Sequence, residues 1–547
     1  MFDTPARIYE HAFAVYPTLT AIRDESAPSV APGEVAEYTY RDLHVWSDAV
    51  MDQFDELGLG AGDVVSMFAL NRVEWPVVET AVARAGLTRS PANYMSALDT
   101  VAYQLGYAGT KVLVTDYDLG SELLPRLAAD PATQDVTVVQ LQDPDGRTLP
   151  GSIPLAARPA AGTAPHRAPV DLDPQSLSTI NFTGGTTGKP KAVAHTCASA
   201  AAAMYIQMIE AEIATRERML VMSPLAHSAG AFTSAALGRG ANVRILDGFD
   251  AERTVELLRT DGITWTFMVP TMIYRVLDTL EASSNASRGA EGAGTSDLDL
   301  RTMVYGAAPM SPARLQQGLD TFGKVFIQLY GQTEAPQFIT SLGKLDHDPA
   351  RPELLTSCGN ASLFTEVEVA DEEGNVLAVG ELGEIITRTP FALREYLGNA
   401  EATAEKFFGD WVRTGDMGVK DADGFVYLKD RRNDMIISGG FNVYSREVED
   451  AVAMHPNVSQ SAVIGIPHED WGEAVHAYVV TRDGTPEDPA GSLAEQELCE
   501  FTRGKVANYA RPKTVTFVSD LPQTPFGKID KKKLRAPHWQ GASRSIG

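Results

Sequence analysis

The stretch NFTGGTTGKPKAV, Asn181 to Val193, follows a strand-like run and packs glycines, threonines and two lysines into one loop. Such a loop can wrap phosphate oxygens. Gly184, Gly185 and Gly188 permit close backbone approach, Thr183, Thr186 and Thr187 offer hydroxyl donors, and Lys189 begins a pair of positive charges. It is not a Walker A loop, which needs four residues between its first glycine and the GK pair and a Ser or Thr after the lysine; here Pro190 follows Lys189. Read alone, the same residues would also suit a solvent-exposed turn.

This loop resembles the phosphate loop of the acyl-CoA synthetase and adenylating ligase family, whose pattern runs approximately T-S-G-T-T-G-x-P-K-G. Further segments match in the family's order and span nearly the whole chain. SPLAHSAG from Ser223 resembles the substrate gate, YGQTE from Tyr330 the nucleotide motif, and WVRTGD from Trp411 the ribose motif. DRRNDMIISGGFNVYSREVE from Asp430 resembles the hinge, and PQTPFGK from Pro522 the catalytic lysine loop.

The resemblance implies a division of labour that the residue types can perform. Glu334 is a hard oxygen ligand suited to Mg²⁺ beside phosphates, Thr333 a phosphate donor, and Tyr330 a flat surface for adenine, with Gly331 and Gln332 between them. Asp416 can accept both ribose hydroxyls, with Arg431 as second ribose contact and Leu428 nearby. Gly306, Ala307, Ala308 and Pro309 resemble the strand end whose backbone lines adenine and the acid. Lys528 would carry the chemistry: a carboxylate attacking an α-phosphate brings two anions together, and a fixed ammonium stabilises the developing charge. His227, with Ser228, Ala229, Phe232 and Leu329, would form a compact acid pocket, His227 also standing as a candidate base. Gly439, Gly440 and Trp471 are implied along the path of a pantetheine thiol, and Asn433 sits where relatives carry the pivot residue. Departures from the family pattern are Gly184 for Ser, Ala192 for Gly and Ser445 for Pro; none removes a charge the chemistry needs.

Positioning these residues requires a particular scaffold. From about residue 40 to 340, apolar runs such as TKVLVTD, STINFTGG, RMLVMSPLAH, ITWTFMVPT, RTMVYGAAP and KVFIQLYGQTE alternate with amphipathic stretches. That alternation predicts doubly wound α/β structure, with ligands at the carboxyl ends of the strands. DAERTVELLRTDG predicts a helix capped by Asp250 with Val255, Leu257 and Leu258 inward. SSNASRGAEGAGTSD, Ser283 to Asp297, predicts a surface loop. Short alternating strands with glycine turns predict a small β-barrel-like subdomain. The expected division is an adenylate-forming domain over 1–430, α/β over 1–340 and β over 341–430, followed by a mobile α+β domain over 431–547.

The 547 residues carry a formal charge of −26. That charge disfavours nucleic acid and anionic membranes as partners, so any phosphate needs a local, preorganised site. Cys197, Cys358 and Cys499 lack the spacing of a disulfide framework or a zinc site. The start, MFDTPARIYEHAF, lacks a secretory signal's basic flank and apolar core, which makes the cytoplasm the expected compartment. The leading expectation is ATP- and Mg²⁺-dependent activation of an aromatic, alicyclic or medium-chain acid, transfer to CoA, and a monomer or homodimer. Loading of a carrier-protein thiol, or adenylation of another oxyanion such as nitrite for coupling to an aryl amine, are the alternatives. A non-catalytic nucleotide-binding regulator would have no need for both Glu334 and Lys528.

Overall fold

The computed structural model describes residues 3–25, 34–183, 189–286, 298–308, 310–431, 434–468, 470–485, 488–524 and 528–539. Runs of β-branched and apolar residues buried on both faces, such as Val64–Phe68 and Thr302–Gly306, form the centres of two large sheets. The nine-stranded sheet runs Asn360–Ala361, Ala335–Leu342, Phe326–Gln332, Thr302–Gly306, Trp265–Met268, Arg218–Val221, Asn242–Ile245, Thr20–Asp24 and Ala36–Thr39. Its strands from Phe326–Gln332 through Thr20–Asp24 are parallel, and the outer ones antiparallel. The eight-stranded sheet runs Glu395–Tyr396, Ala192–Thr196, Leu177–Phe182, Thr88–Pro91, Val64–Phe68, Thr110–Thr115, Thr137–Gln140 and Ile153–Pro154. Helices between the strands cover these sheets, so the fold is the doubly wound α/β arrangement that the alternation predicts.

Local chemistry sets the helix starts. Asp250 accepts from the backbone N–H of Arg253 and caps Ala251–Thr260, which buries Val255, Leu257 and Leu258. Thr39 and Asp42 form a reciprocal capping box at the start of Tyr40–Glu56. The helix Pro270–Ala286 extends into the segment expected to be loop from Ser283, and residues 287–297 lie outside the described residues.

The small antiparallel sheet contains Glu366–Ala370, Gly383–Arg388, Trp411–Lys420, Phe407–Phe408 and Val426–Arg431. Within 341–430, Asn360–Ala361 extends the nine-stranded sheet and Glu395–Tyr396 pairs with Ala192–Thr196. These short strands cover edges that would otherwise leave backbone groups unpaired. Beyond it, Phe441–Val443, Ile436–Ser438, Gly472–Thr481, Val458–His468 and Thr514–Phe517 form a last sheet. A core of its own, built on Ile436, Val448, Val463, Val475 and Leu498, holds this C-terminal unit together. Cys197 and Cys358 are buried free thiols, and Cys499 is a half-buried one. Among the described residues no helix is long and apolar enough to cross a membrane.

Candidate active site

The carboxyl ends of Phe326–Gln332, Thr302–Gly306 and Arg218–Val221 open onto one cavity of about 240 Å³. Each strand turns directly into residues of the wall: Gly331, Gln332 and Thr333 from the first, Ala307 from the second, and Ala226, His227 and Ser228 from the loop after the third. Asn71 holds that loop, donating to the Ser223 carbonyl at 2.9 Å and accepting the Leu225 N–H at 2.8 Å. The eight-stranded sheet supplies the facing wall. Its register aligns Arg89 with Thr179 and Thr179 with His195, so one row across three neighbouring strands reaches the cavity. Lys528, from the C-terminal unit, lines the same space.

The close approach of strands here excludes side chains. A Cβ on Gly306 would lie 2.4 Å from the Leu329 carbonyl oxygen, and one on Gly331 2.5 Å from the Gln337 nitrogen. Ala307 and Gln337 adopt φ of 63° and 65°, left-handed values that non-glycine residues seldom hold and that concentrate at ligand sites.

Beside the cavity, the Tyr330 phenol donates to Asp416 at 2.6 Å. Asp416 in turn faces Arg431 in the register of Trp411–Lys420 against Val426–Arg431. Glu334 is buried, 3.6 Å from the Lys406 ammonium, and accepts the Tyr396 phenol on the same oxygen, Oε1. Burial opposes its ionisation, but Lys406 and Tyr396 together hold its carboxyl below the usual value. Burial pushes the Lys406 ammonium down, with Glu334, Asp416 and Glu384 opposing. Thr183 closes the base of the glycine loop, donating its N–H to the Lys191 carbonyl at 3.0 Å and accepting the Lys191 N–H on its hydroxyl at 3.1 Å. Lys189 lies 5.0 Å from the centroid of the Tyr103 ring.

His227, Ser228, Ala307, Leu329, Gly331, Gln332, Thr333 and Lys528 share one cavity. Others are elsewhere. Phe232, expected in the acid pocket, is fully buried behind it, its ring 5.2 Å from those of both Trp265 and Phe267; Ala229 is also core. The helix Ser228–Gly238 turns those two positions inward, where apolar side chains pack against the sheet. Gly306 is buried beneath the wall rather than in it, and Ala308 and Leu428 are half-buried outside it. Gly439 and Gly440 are exposed with φ of 59° and 82°, Gly439 donating to the Trp471 carbonyl, and none of the three lines the cavity. Gly184, Gly185, Thr186, Thr187, Gly188, Pro309, Asn433 and the Arg431 side chain lie outside the described residues.

The cavity also holds residues that motif matching passes over: Tyr9, Glu79, Arg89, Asn93, Gln104, His195, Gln207, Ser234 and Gln337. One signal for them exists in the sequence. Glu79 interrupts EWPVVETAVAR and Arg89 interrupts TRSP, runs that are otherwise largely buried.

Burial, with the Lys528 and Arg89 cations adding to it, lowers the His227 imidazole to about 4. Burial brings His195 and His347 to about 4 as well. These rings are neutral in the folded protein above that value, whereas an unfolded imidazole takes up a proton near its ordinary 6.5. The unfolded chain therefore binds more protons between the two values, and stability falls as pH drops from about 6.5 towards 4. A thermal-melt series across that window should show the decline, shallower in His347→Gln; a flat profile would contradict it. Exchange activity between pH 6.5 and 8 should show no inflection from His227.

The family model of the AMP-binding enzymes matches residues 9–397, and that of the AMP-binding enzyme C-terminal domain matches residues 447–528. A medium/long-chain-fatty-acid–CoA ligase of Mycobacterium tuberculosis is 37% identical over 90% of this chain and 84% of its own length. A feruloyl-CoA synthase of an Amycolatopsis species is 32% identical over 95% of this chain and 98% of its own. The solved amide bond synthetase from Marinactinospora thermotolerans superposes with a TM-score of 0.82 at 29% identity, covering 97% of this chain and 99% of that one.

Proposed function

The chain belongs to the AMP-binding enzyme family and is an AMP-forming ligase of the acyl-CoA synthetase type, and from that premise we propose that it adenylates a small carboxylic acid and passes the acyl group to the thiol of CoA. The observation that carries the reading is that Lys528, from the C-terminal unit, lines one cavity with Thr333 and His227, the residues proposed to meet phosphate and acid.

In the first step a carboxylate oxygen attacks the α-phosphorus of ATP, the α–β phosphoanhydride bond breaks, and pyrophosphate leaves. Lys528 offsets the two negative charges brought together, and Thr333 donates to phosphate oxygen. His227, neutral at working pH, borders the acid and offers a hydrogen bond rather than a charge. Tyr330 and Asp416 take adenine and ribose, so their mutual hydrogen bond yields to the nucleotide. Among the described residues no group of three His, Cys, Asp or Glu forms a metal cage. The donor set nonetheless fits Mg²⁺, which is commonly held by one or two carboxylates together with substrate phosphates; Glu334 is the candidate carboxylate. Bound there, Mg²⁺ would neutralise phosphate charge.

In the second step the CoA thiolate attacks the acyl carbon and AMP leaves. Gly439, Gly440 and Trp471 lie away from the cavity while Lys528 is in it. A turn of the C-terminal unit about the segment containing Asn433 would exchange them, separating two reactions that need different groups at one centre. A pyrophosphate-release screen over aromatic, alicyclic and medium-chain acids, with and without CoA, tests the reading. AMP release that requires acid and rises with CoA is the expected result. Carrier-dependent release without CoA dependence would move the acceptor to a protein thiol, and release driven by nitrite with an aryl amine would replace the acid.

A further inference from the structure

The wall of the acid pocket contains an ion pair that neither the adenylation chemistry nor the family motifs use. Arg89 Nε and Glu79 Oε1 are 2.6 Å apart, with side chains only 24% and 10% exposed, and both residues border the cavity. Neither of those two atoms meets hydrogen-bond geometry, although both are buried. Burial raises the Glu79 carboxyl in spite of Arg89 and a hydrogen bond from Ser234. Tyr9 and Ser234 line the cavity too. Glu79 and Arg89 also line a second, small space of about 10 Å³ with Val65, Met67, Trp75 and Val78, so these charges border both the cavity and apolar core. His227, Lys528 and Arg89 line the same cavity, and both cations act on the His227 imidazole.

Stability does not account for this arrangement. A buried ion pair can commonly be replaced by apolar residues of similar volume without loss, because desolvation cancels much of the attraction. Polar groups that face a ligand cavity act on specificity instead. A site built to hydrogen-bond a substrate group rejects analogues lacking it, since its own polar atoms would be left desolvated and unmatched, whereas an apolar pocket discriminates weakly.

Resting on the reading of this cavity as the acid pocket, we infer that Glu79 and Arg89, supported by Tyr9 and Ser234, form a recognition subsite for a hydroxyl or amino group at the end of the acid remote from its carboxylate. Glu79 accepts the substrate O–H or N–H, and Arg89, its partner in the ion pair, donates to a hydroxyl oxygen. The substrate class is therefore a small acid, preferably aromatic, with a polar far end, rather than a plain hydrocarbon acid. The modest volume agrees, lying below the roughly 300–1,000 Å³ usual for ligand pockets.

ATP–pyrophosphate exchange with matched acids tests this: benzoate against 4-hydroxybenzoate and 4-aminobenzoate, and cinnamate against 4-hydroxycinnamate and 4-aminocinnamate. In the wild-type protein at least one polar-ended acid should exceed its plain counterpart in kcat/KM by about tenfold or more. In the double variant Glu79→Leu with Arg89→Met the ratio should fall to about one or invert, with KM for ATP unchanged. Equal kcat/KM within both sets, or a ratio preserved in the double variant, overturns the subsite and leaves acid adenylation standing. Exchange with no acid at all overturns both. Glu79→Gln keeps the shape of the site should the double variant fail to fold. It releases Arg89 from its counter-ion, so terephthalate should improve about tenfold relative to 4-hydroxybenzoate, and an unchanged ratio overturns the proposal as firmly.

Discussion

Lys528→Ala should lower acid-dependent ATP–pyrophosphate exchange by at least about 10²-fold, the usual scale for removing one preorganised group that meets developing charge. The lysine is the one contribution of the C-terminal unit to the cavity among the described residues, and it is close enough to help depress the His227 imidazole. Its backbone is tied to its neighbours, the Thr524 N–H donating to the Lys528 carbonyl at 2.7 Å and Gln523 bridging to Ile529, and Lys528 is not part of the unit's hydrophobic core. The variant should therefore keep its melting temperature. Supplied with preformed acyl-adenylate, it should still make thioester at close to the wild-type rate, because no anion pair has to be created in that step. Exchange near the wild-type level in folded variant protein would remove Lys528 from the mechanism.

Arg84→Ala should cost about 3–5 kcal/mol of stability, the range for stranding a buried charge. Arg84 is fully buried and joins four separate parts of the chain. It donates to Glu10 and to Asp48 at 2.6 Å each, to the Ser47 hydroxyl at 2.7 Å, and to the Arg167 carbonyl at 3.0 Å, with His44 also 3.0 Å away. Asp48 is itself fully buried, so removing the guanidinium leaves a carboxylate in the core without its cation. Arg84 also ends the helix Glu74–Arg84 that carries Glu79 to the cavity, so on the proposed reading partial loosening should raise KM for the acid before that for ATP. Urea unfolding followed by fluorescence measures the first effect; a change below about 1 kcal/mol would show that the network adds little beyond its own desolvation cost.

The sequence alone disclosed the reaction class and much of the architecture, because both are written in short-range patterns. The glycine loop, YGQTE and the lysine loop each combine residue types that serve one chemical task within a few positions. Alternating apolar runs fix the parallel sheets, since a strand buried on both faces tolerates little else. The Asp250 cap was legible for the same reason: its hydrogen bond spans three residues.

What the tertiary structure decided is which distant side chains face the same space. Arg89, Thr179 and His195 become neighbours only through strand register. Lys406, 72 positions on in the chain and beside the small antiparallel sheet, comes within 3.6 Å of Glu334 only in the folded structure. Phe232 has the composition of a pocket residue, yet helix rotation turns it into the aromatic core. Motifs state the chemistry through residue identity and spacing; the shape and polarity of the cavity come from the packing of separately encoded elements, and packing has no local signature.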